Sequence, residues 1–145
     1  MKFRLVTILF VVPCAGLWNL PGASADDGKI LCDFEEEDSL RLWEKAAHIE
    51  LSDENVTHGN KSGKITLRAT VVAGSWTGLP SDWSKYDHLK LDFFNPGETV
   101  VLAVRMKDGK GKGYDNWNYK VPKGALKAVF DLEKVGAKMD LSDVK

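Results

Sequence analysis

The sequence predicts an all-β fold, an antiparallel β-sandwich or jelly roll. Three observations carry that expectation. After Asp26 apolar and polar residues alternate with a period of two, the signature of strands with one buried and one wet face. Turn-forming runs such as Asn95-Pro96-Gly97, Asp108-Gly109 and Pro122-Lys123-Gly124 separate the alternating segments. Only one short stretch has helical spacing.

The chain opens with a basic Met1-Lys2-Phe3-Arg4 and an apolar run from Leu5 to Leu17, broken by Pro13. Ala23-Ser24-Ala25 follows as a small-x-small cleavage motif, so residues 1–25 read as an export signal and residues 26–145 as one β-sandwich domain. The apolar run is shorter than the roughly 20 residues that span a bilayer. Cys14 invites a lipoprotein reading, but Pro13 stands where such sites want a small residue.

Strands are then expected in order. Ile30–Glu35 opens the series, with Ile30, Cys32 and Phe34 sharing one parity. Asp38–Ala47 has helical spacing of Leu40 and Trp43 behind a Ser39 N-cap, and reads equally as a loop that drops Leu40, Leu42 and Trp43 onto the core. Lys64–Val71 turns Ile65, Leu67, Ala69 and Val71 to one face. His88–Phe94 points Leu89, Leu91 and Phe93 inward, and Trp83 and Tyr86 just before it read as the cover over one end of the core. Thr99–Lys107 sets Val100, Leu102, Val104 and Met106 on one side, and Ala125–Leu132 does the same with Leu126, Ala128, Phe130 and Leu132. Leu141–Lys145 reads as the lead-in to another strand, which suggests a fragment lacking the last strand of its fold.

Charge and cysteine usage narrow the function classes. Cleavage after Ala25 removes Lys2 and Arg4, so 20 basic residues become 18 against 21 acidic ones, a net charge near −3 with histidine neutral. Such a balance gives no electrostatic reason to expect nucleic acid or an anionic membrane as partner. Cys32 alone survives cleavage, so no internal disulfide can form, and its apolar neighbours suggest a buried thiol. His48, His58 and His88 are scattered without a zinc-protease motif, and GSWTG is not a nucleophile elbow. The glycines at 109, 111 and 113 lack the Lys-Ser or Lys-Thr of a phosphate loop. Carboxylates are plentiful, but nothing singles out a glycosidase pair. Asn55-Val56-Thr57 and Asn60-Lys61-Ser62 are glycosylation sequons.

The order of CDFEEEDSLRLWE, NVTHGNKSGKITLRA, DWSKYDHLKLDFFNPGETVVLAVRMKD and YKVPKGALKAVFDLEKV resembles the galactose-binding-like β-sandwich modules of secreted carbohydrate-active proteins, over most of Cys32 to Lys145. The resemblance implies a two-sheet jelly roll, a non-catalytic role beside a glycosidase, and one structural calcium ion. Carried onto this chain, the ion would sit on Asp33 or Glu35 and backbone oxygens near His58 to Lys61; a further family carboxylate has no counterpart here.

For a glycan, the residue types point to loops and irregular strands. A flat aromatic face meets the apolar side of a sugar ring, while short carboxylates and amides pair with hydroxyls. Trp76 stands between glycines in GSWTG, and GYDNWNYK offers Tyr114, Asp115, Asn116 and Trp117. Simple parity puts Trp117, Tyr119 and Val121 on the core side and leaves Asn116 and Asn118 outside. Arg105 and Lys107, with Lys90 and Asp92 on an adjacent strand, could floor a groove, though such charges on a wet face are ordinarily just solvated.

The expectation is a secreted or periplasmic, monomeric module that binds polysaccharide or oligosaccharide without cleaving it, N-terminal to a glycoside hydrolase domain. Its partners include neither nucleic acid nor, after cleavage, a membrane. The alternative is a ligand-free structural sandwich packed on a downstream catalytic domain. A third reading has this domain lend a residue to that domain's active site.

Overall fold

Alternation gives each strand a side that can leave water while the other stays hydrated, and the chain folds along those lines. The computed structural model describes residues 6–8, 15–18, 28–43, 49–67 and 79–145. The strands there are β1 (Val6–Ile8), β2 (Ala15–Trp18), β3 (Lys29–Cys32), β4 (Ile49–Ser52), β5 (Ser62–Leu67), β6 (His88–Asn95), β7 (Val100–Lys107), β8 (Gly113–Val121) and β9 (Gly124–Asp131). Every pairing between them is antiparallel. The fold is therefore all-β.

Three sheets form, in the orders β1-β5-β4, β3-β2-β6-β9 and β7-β8. One apolar core joins them, built from Cys32, Phe34, Ile65, Trp83, Leu89, Phe93, Met106, Val121, Ala128 and Phe130. The inward sets expected for β6, β7 and β9 are the ones that meet it. Tyr119 of β8 lies 5.4 Å from Phe130 of β9, ring centre to ring centre, tying the two-stranded sheet to the four-stranded one. Burying the Cys32 thiol pushes its pKa up, so it behaves as a small core residue rather than a nucleophile.

Two polar side chains that enter the core are satisfied, whereas the buried indole N–H of Trp43 has no hydrogen-bond partner among the described residues. Asn95 is fully buried at the end of β6, where its amide donates to Glu98 O (2.8 Å) and Val121 O (3.1 Å) and accepts from Gly97 N (3.0 Å). That one side chain closes the Asn-Pro-Gly turn and fastens it to β8. Trp83 is buried, its indole N–H donating to Pro80 O at 2.7 Å, as expected of an end cover. Asp131 caps the short helix α1 (Leu132–Gly136) by accepting from Glu133 N and Lys134 N.

The C-terminal segment is stitched into this frame. Asp108, just after β7, is 3% exposed, and its carboxylate accepts backbone N–H groups from Lys110, Lys112 and Asp140. Those bonds hold its pKa below the usual carboxylate value, led by the one from Asp140. Around it, Gly109 N donates to Asp143 O, Lys145 N to Lys107 O, Val144 N to Ser81 O and Trp83 N to Leu141 O, each at 2.8 Å. Leu141–Lys145, expected as the lead-in to a strand, here makes only a single bridge, Val144 opposite Asp108.

Three expectations change. Glu37–Trp43 winds as a 3-10 helix instead of an α-helix, and Trp43 stacks on Phe34 at 6.1 Å. The tighter winding fits a piece too short to propagate as an α-helix. Ile30 is 42% exposed although Cys32 is buried, because the β2–β3 register shifts by one residue between them and Leu31 turns toward the core. Lys90 and Asp92 on β6 do not floor a groove with Arg105, since β6 pairs with β2 and β9 while β7 pairs with β8.

The stretch read as an export signal contributes β1 and β2. β2 lies between β3 and β6 and bonds to both. The cleavage motif at Ala23–Ala25 lies outside the described residues, as do Trp76 and the outer half of the 64–71 run.

Candidate functional site

The outward side of the β7–β8 hairpin gathers the residues that sequence reasoning singled out. On β7, Val101, Ala103 and Arg105 face solvent, while Val100, Leu102 and Val104 pack on the core. On β8 the pattern breaks. Leu102 stands opposite Tyr119, but Val104 stands opposite Asn116, so β8 carries one extra residue where β7 has Ala103. This β-bulge falls at Trp117–Asn118, and Asn118 N donates to Asn116 Oδ1 at 3.1 Å across it.

The extra residue decides where Trp117 goes. In a regular strand Trp117 would share a face with Tyr119 and Val121, the arrangement expected from parity. Val121 is fully buried and Tyr119 half-buried, yet Trp117 is 61% exposed. The bulge changes the parity between them and moves the indole to the outer face beside Asp115. Simple alternation could not see this. The available signal was two asparagines, Asn116 and Asn118, inside a strand, where asparagine is a poor fit.

Arg105 completes the group. Its guanidinium lies 4.9 Å from the centre of the Trp117 ring, and its Nε donates to Asp115 Oδ1 at 2.5 Å. Both partners of this ion pair are more than a third exposed, so it adds little to stability. Its effect is positional: the carboxylate holds the guanidinium, and the guanidinium lies against one side of the indole. Val101, 57% exposed, and Lys120 opposite it extend the face along the strands.

Not all candidates join it. Tyr114 pairs with buried Met106 and packs against the core edge, with Lys138 6.0 Å above its ring. Asn116 is half-buried and occupied by the bulge. Trp76 lies outside the described residues. Arg105, Asp115 and Trp117 are thus brought together, and Tyr114 and Asn116 support them from the other side of the strand.

The carboxylates named for calcium accept hydrogen bonds within the chain. Glu35 Oε1 accepts from Asn60 N (2.6 Å) and Lys61 N (2.9 Å), and Oε2 from Asn60 Nδ2 (3.3 Å). These N–H groups depress the carboxyl's pKa. Gly59, at φ +65°, passes so close to Glu35 that any side chain there would strike the carboxylate. Asp33 Oδ1 accepts from Glu35 N at 3.2 Å. Among the described residues no group of three or more His, Cys, Asp or Glu is placed to hold a metal.

No family model, no curated protein and no solved structure matches the chain.

Proposed function

We propose that this chain is a non-catalytic carbohydrate-binding module of a secreted protein, a jelly roll whose binding surface is the outer face of β7–β8. The observation that carries the reading is a tryptophan turned out of the core by a bulge and steadied by an arginine–aspartate pair. A protein gains nothing for its fold by exposing Trp117, since burial of an aromatic is worth more than its hydration. A flat aromatic with polar neighbours is what a pyranose ring needs: its C–H side stacks on the indole, and Arg105, Asp115 and Asn118 are at hand for its hydroxyls. The face is open and shallow, suited to a polymer chain passing over it.

Affinity electrophoresis of the purified chain against plant and algal polysaccharides tests this. Retardation by at least one glycan, lost in Trp117→Ala with the unfolding midpoint unchanged, is the expected result. Normal retardation of Trp117→Ala would reject the face.

A second reading has its own support. Ile30 and Val129, 42% and 53% exposed, lie in one row across the four-stranded sheet, each flanking the β2–β6 pair from outside. A structural module packed on a neighbouring catalytic domain would use such a row. It predicts that Val129→Asp disrupts that packing and leaves glycan retardation untouched.

A further inference from the structure

We infer that the glycan bound at the β7–β8 face is an anionic polysaccharide, its sugars carrying carboxylate or sulfate groups. The inference rests on the carbohydrate-binding reading above and adds the chemical class of the ligand. Its basis is the row order of the hairpin. From one end to the other, the outer face presents Lys107 opposite Gly113, Arg105 opposite Asp115, Ala103 opposite the Trp117–Asn118 bulge, and Val101 opposite Lys120. Three cations therefore line the strip against one carboxylate.

That carboxylate does not cancel them. Asp115 engages Arg105 through Nε only, and a guanidinium has five N–H donors, so its outer edge stays available for a planar anion. Among the described residues neither Lys107 nor Lys120 is held in an ion pair. Lys107 leans along the backbone at Gly113, where the missing side chain leaves it room. The chain as a whole has a net charge of −1, so this positive strip is a local arrangement and not a product of composition.

Spacing suits a polymer. At roughly 3.3 Å per residue, the strip from the Lys107 row to the Val101 row covers about 20 Å, with the indole about two-thirds of the way toward the Val101 row. One sugar unit stacks on Trp117 while acidic groups on flanking units reach Arg105 and Lys107 on one side and Lys120 on the other. Charge-assisted bonds of that kind favour an acidic glycan over its neutral counterpart.

The purified chain is tested by affinity electrophoresis and calorimetry against polygalacturonate and alginate (carboxylated), carrageenan (sulfated), galactomannan and laminarin (neutral), and inorganic polyphosphate. The expected result is binding to a carboxylated or sulfated glycan that weakens as salt rises from about 50 to about 200 mM. The double variant Lys107→Gln with Lys120→Gln should bind about tenfold more weakly with an unchanged unfolding midpoint. Trp117→Ala should not bind. Which of the two anionic arms is retained identifies the acid group. Equal binding to neutral glycans, indifferent to the lysine variant but lost with Trp117→Ala, would overturn the acidic class and leave carbohydrate binding intact. Absence of binding to every glycan would overturn both. Polyphosphate bound as tightly as any glycan, with Trp117→Ala unaffected, would reduce the face to simple ion exchange and overturn the inference.

Discussion

Asp108 and Asp115 belong to the same hairpin region and have opposite fates. Asp108 is sealed beneath the C-terminal segment, with three backbone N–H groups on its carboxylate. Asp115 stands on the outer face, its single charged partner a side chain that is itself in water. An acidic group surrounded by main-chain donors is committed to the fold, because those donors would otherwise be orphaned. One held by a neighbouring side chain remains free to exchange partners. The difference separates the part of this hairpin that builds the molecule from the part that can meet a ligand.

The comparison breaks first at Asp108. Asp108→Ala leaves three N–H groups without an acceptor and removes one of the ties on the segment from Asp140 to Lys145, so the unfolding midpoint should fall by roughly 5–10 °C in a calorimetric scan. Asp115→Ala, measured alongside, should barely move it.

Acid gives the next largest effect. The carboxyls of Asp108, Asp140 and Asp82 are all held below their usual pKa, chiefly by hydrogen bonds from Asp140 N, from Ser142 and from Ser84 respectively. A depressed folded-state pKa means that the unfolded chain binds protons first. The stabilisation is complete above about pH 5, where both states are ionised, and is lost as pH falls through the unfolded and then the folded values. The midpoint should stay level from pH 8 to 5 and drop below about pH 4, more shallowly in Asp108→Ala.

Removing the bulge sharpens the site half of the comparison. Deleting Asn118 places Trp117 directly before Tyr119, so in a regular strand the indole still faces out while Tyr119 still faces in. We expect a midpoint change of less than about 5 °C and an unchanged exposed-tryptophan fluorescence component. A shift of that component to the blue would show that the bulge turns the ring by some other route. The smallest stability effect belongs to Trp117→Ala, within about 2 °C of the parent, since so little of the side chain is buried.

Much of this was legible beforehand, and the reason is periodicity. Leu89, Leu91 and Phe93, the alternate residues of β7, and Ala128 with Phe130 all lie where a two-residue repeat puts them. Trp83 could be read as a cover because an aromatic just ahead of an apolar strand has a core within reach. Failures arose where one residue too many enters a strand. Leu31 against β2 and the Trp117–Asn118 pair against Ala103 each invert the parity beyond them, reversing the fates of Ile30 and Trp117. The candidate site lay at such an inversion, so its residue types were visible while their common face was not. The Asp108 stitching was also hidden, since it joins residues far apart in the chain through main-chain groups that every sequence possesses.

β2 has a consequence for how this protein would mature. Its two partners each run opposite to it, so β3 and β6 point the same way, separated by a full lane of the sheet. A peptidase acting after Ala25 would take that lane away and leave two rims of bare amides about 10 Å apart. Closing them onto each other would create a parallel ladder in a molecule whose described pairings all run the other way, so a borrowed extended segment is the simpler tenant. Amide hydrogen exchange at Leu89 and Lys90, compared before and after trimming, would register the change of occupant.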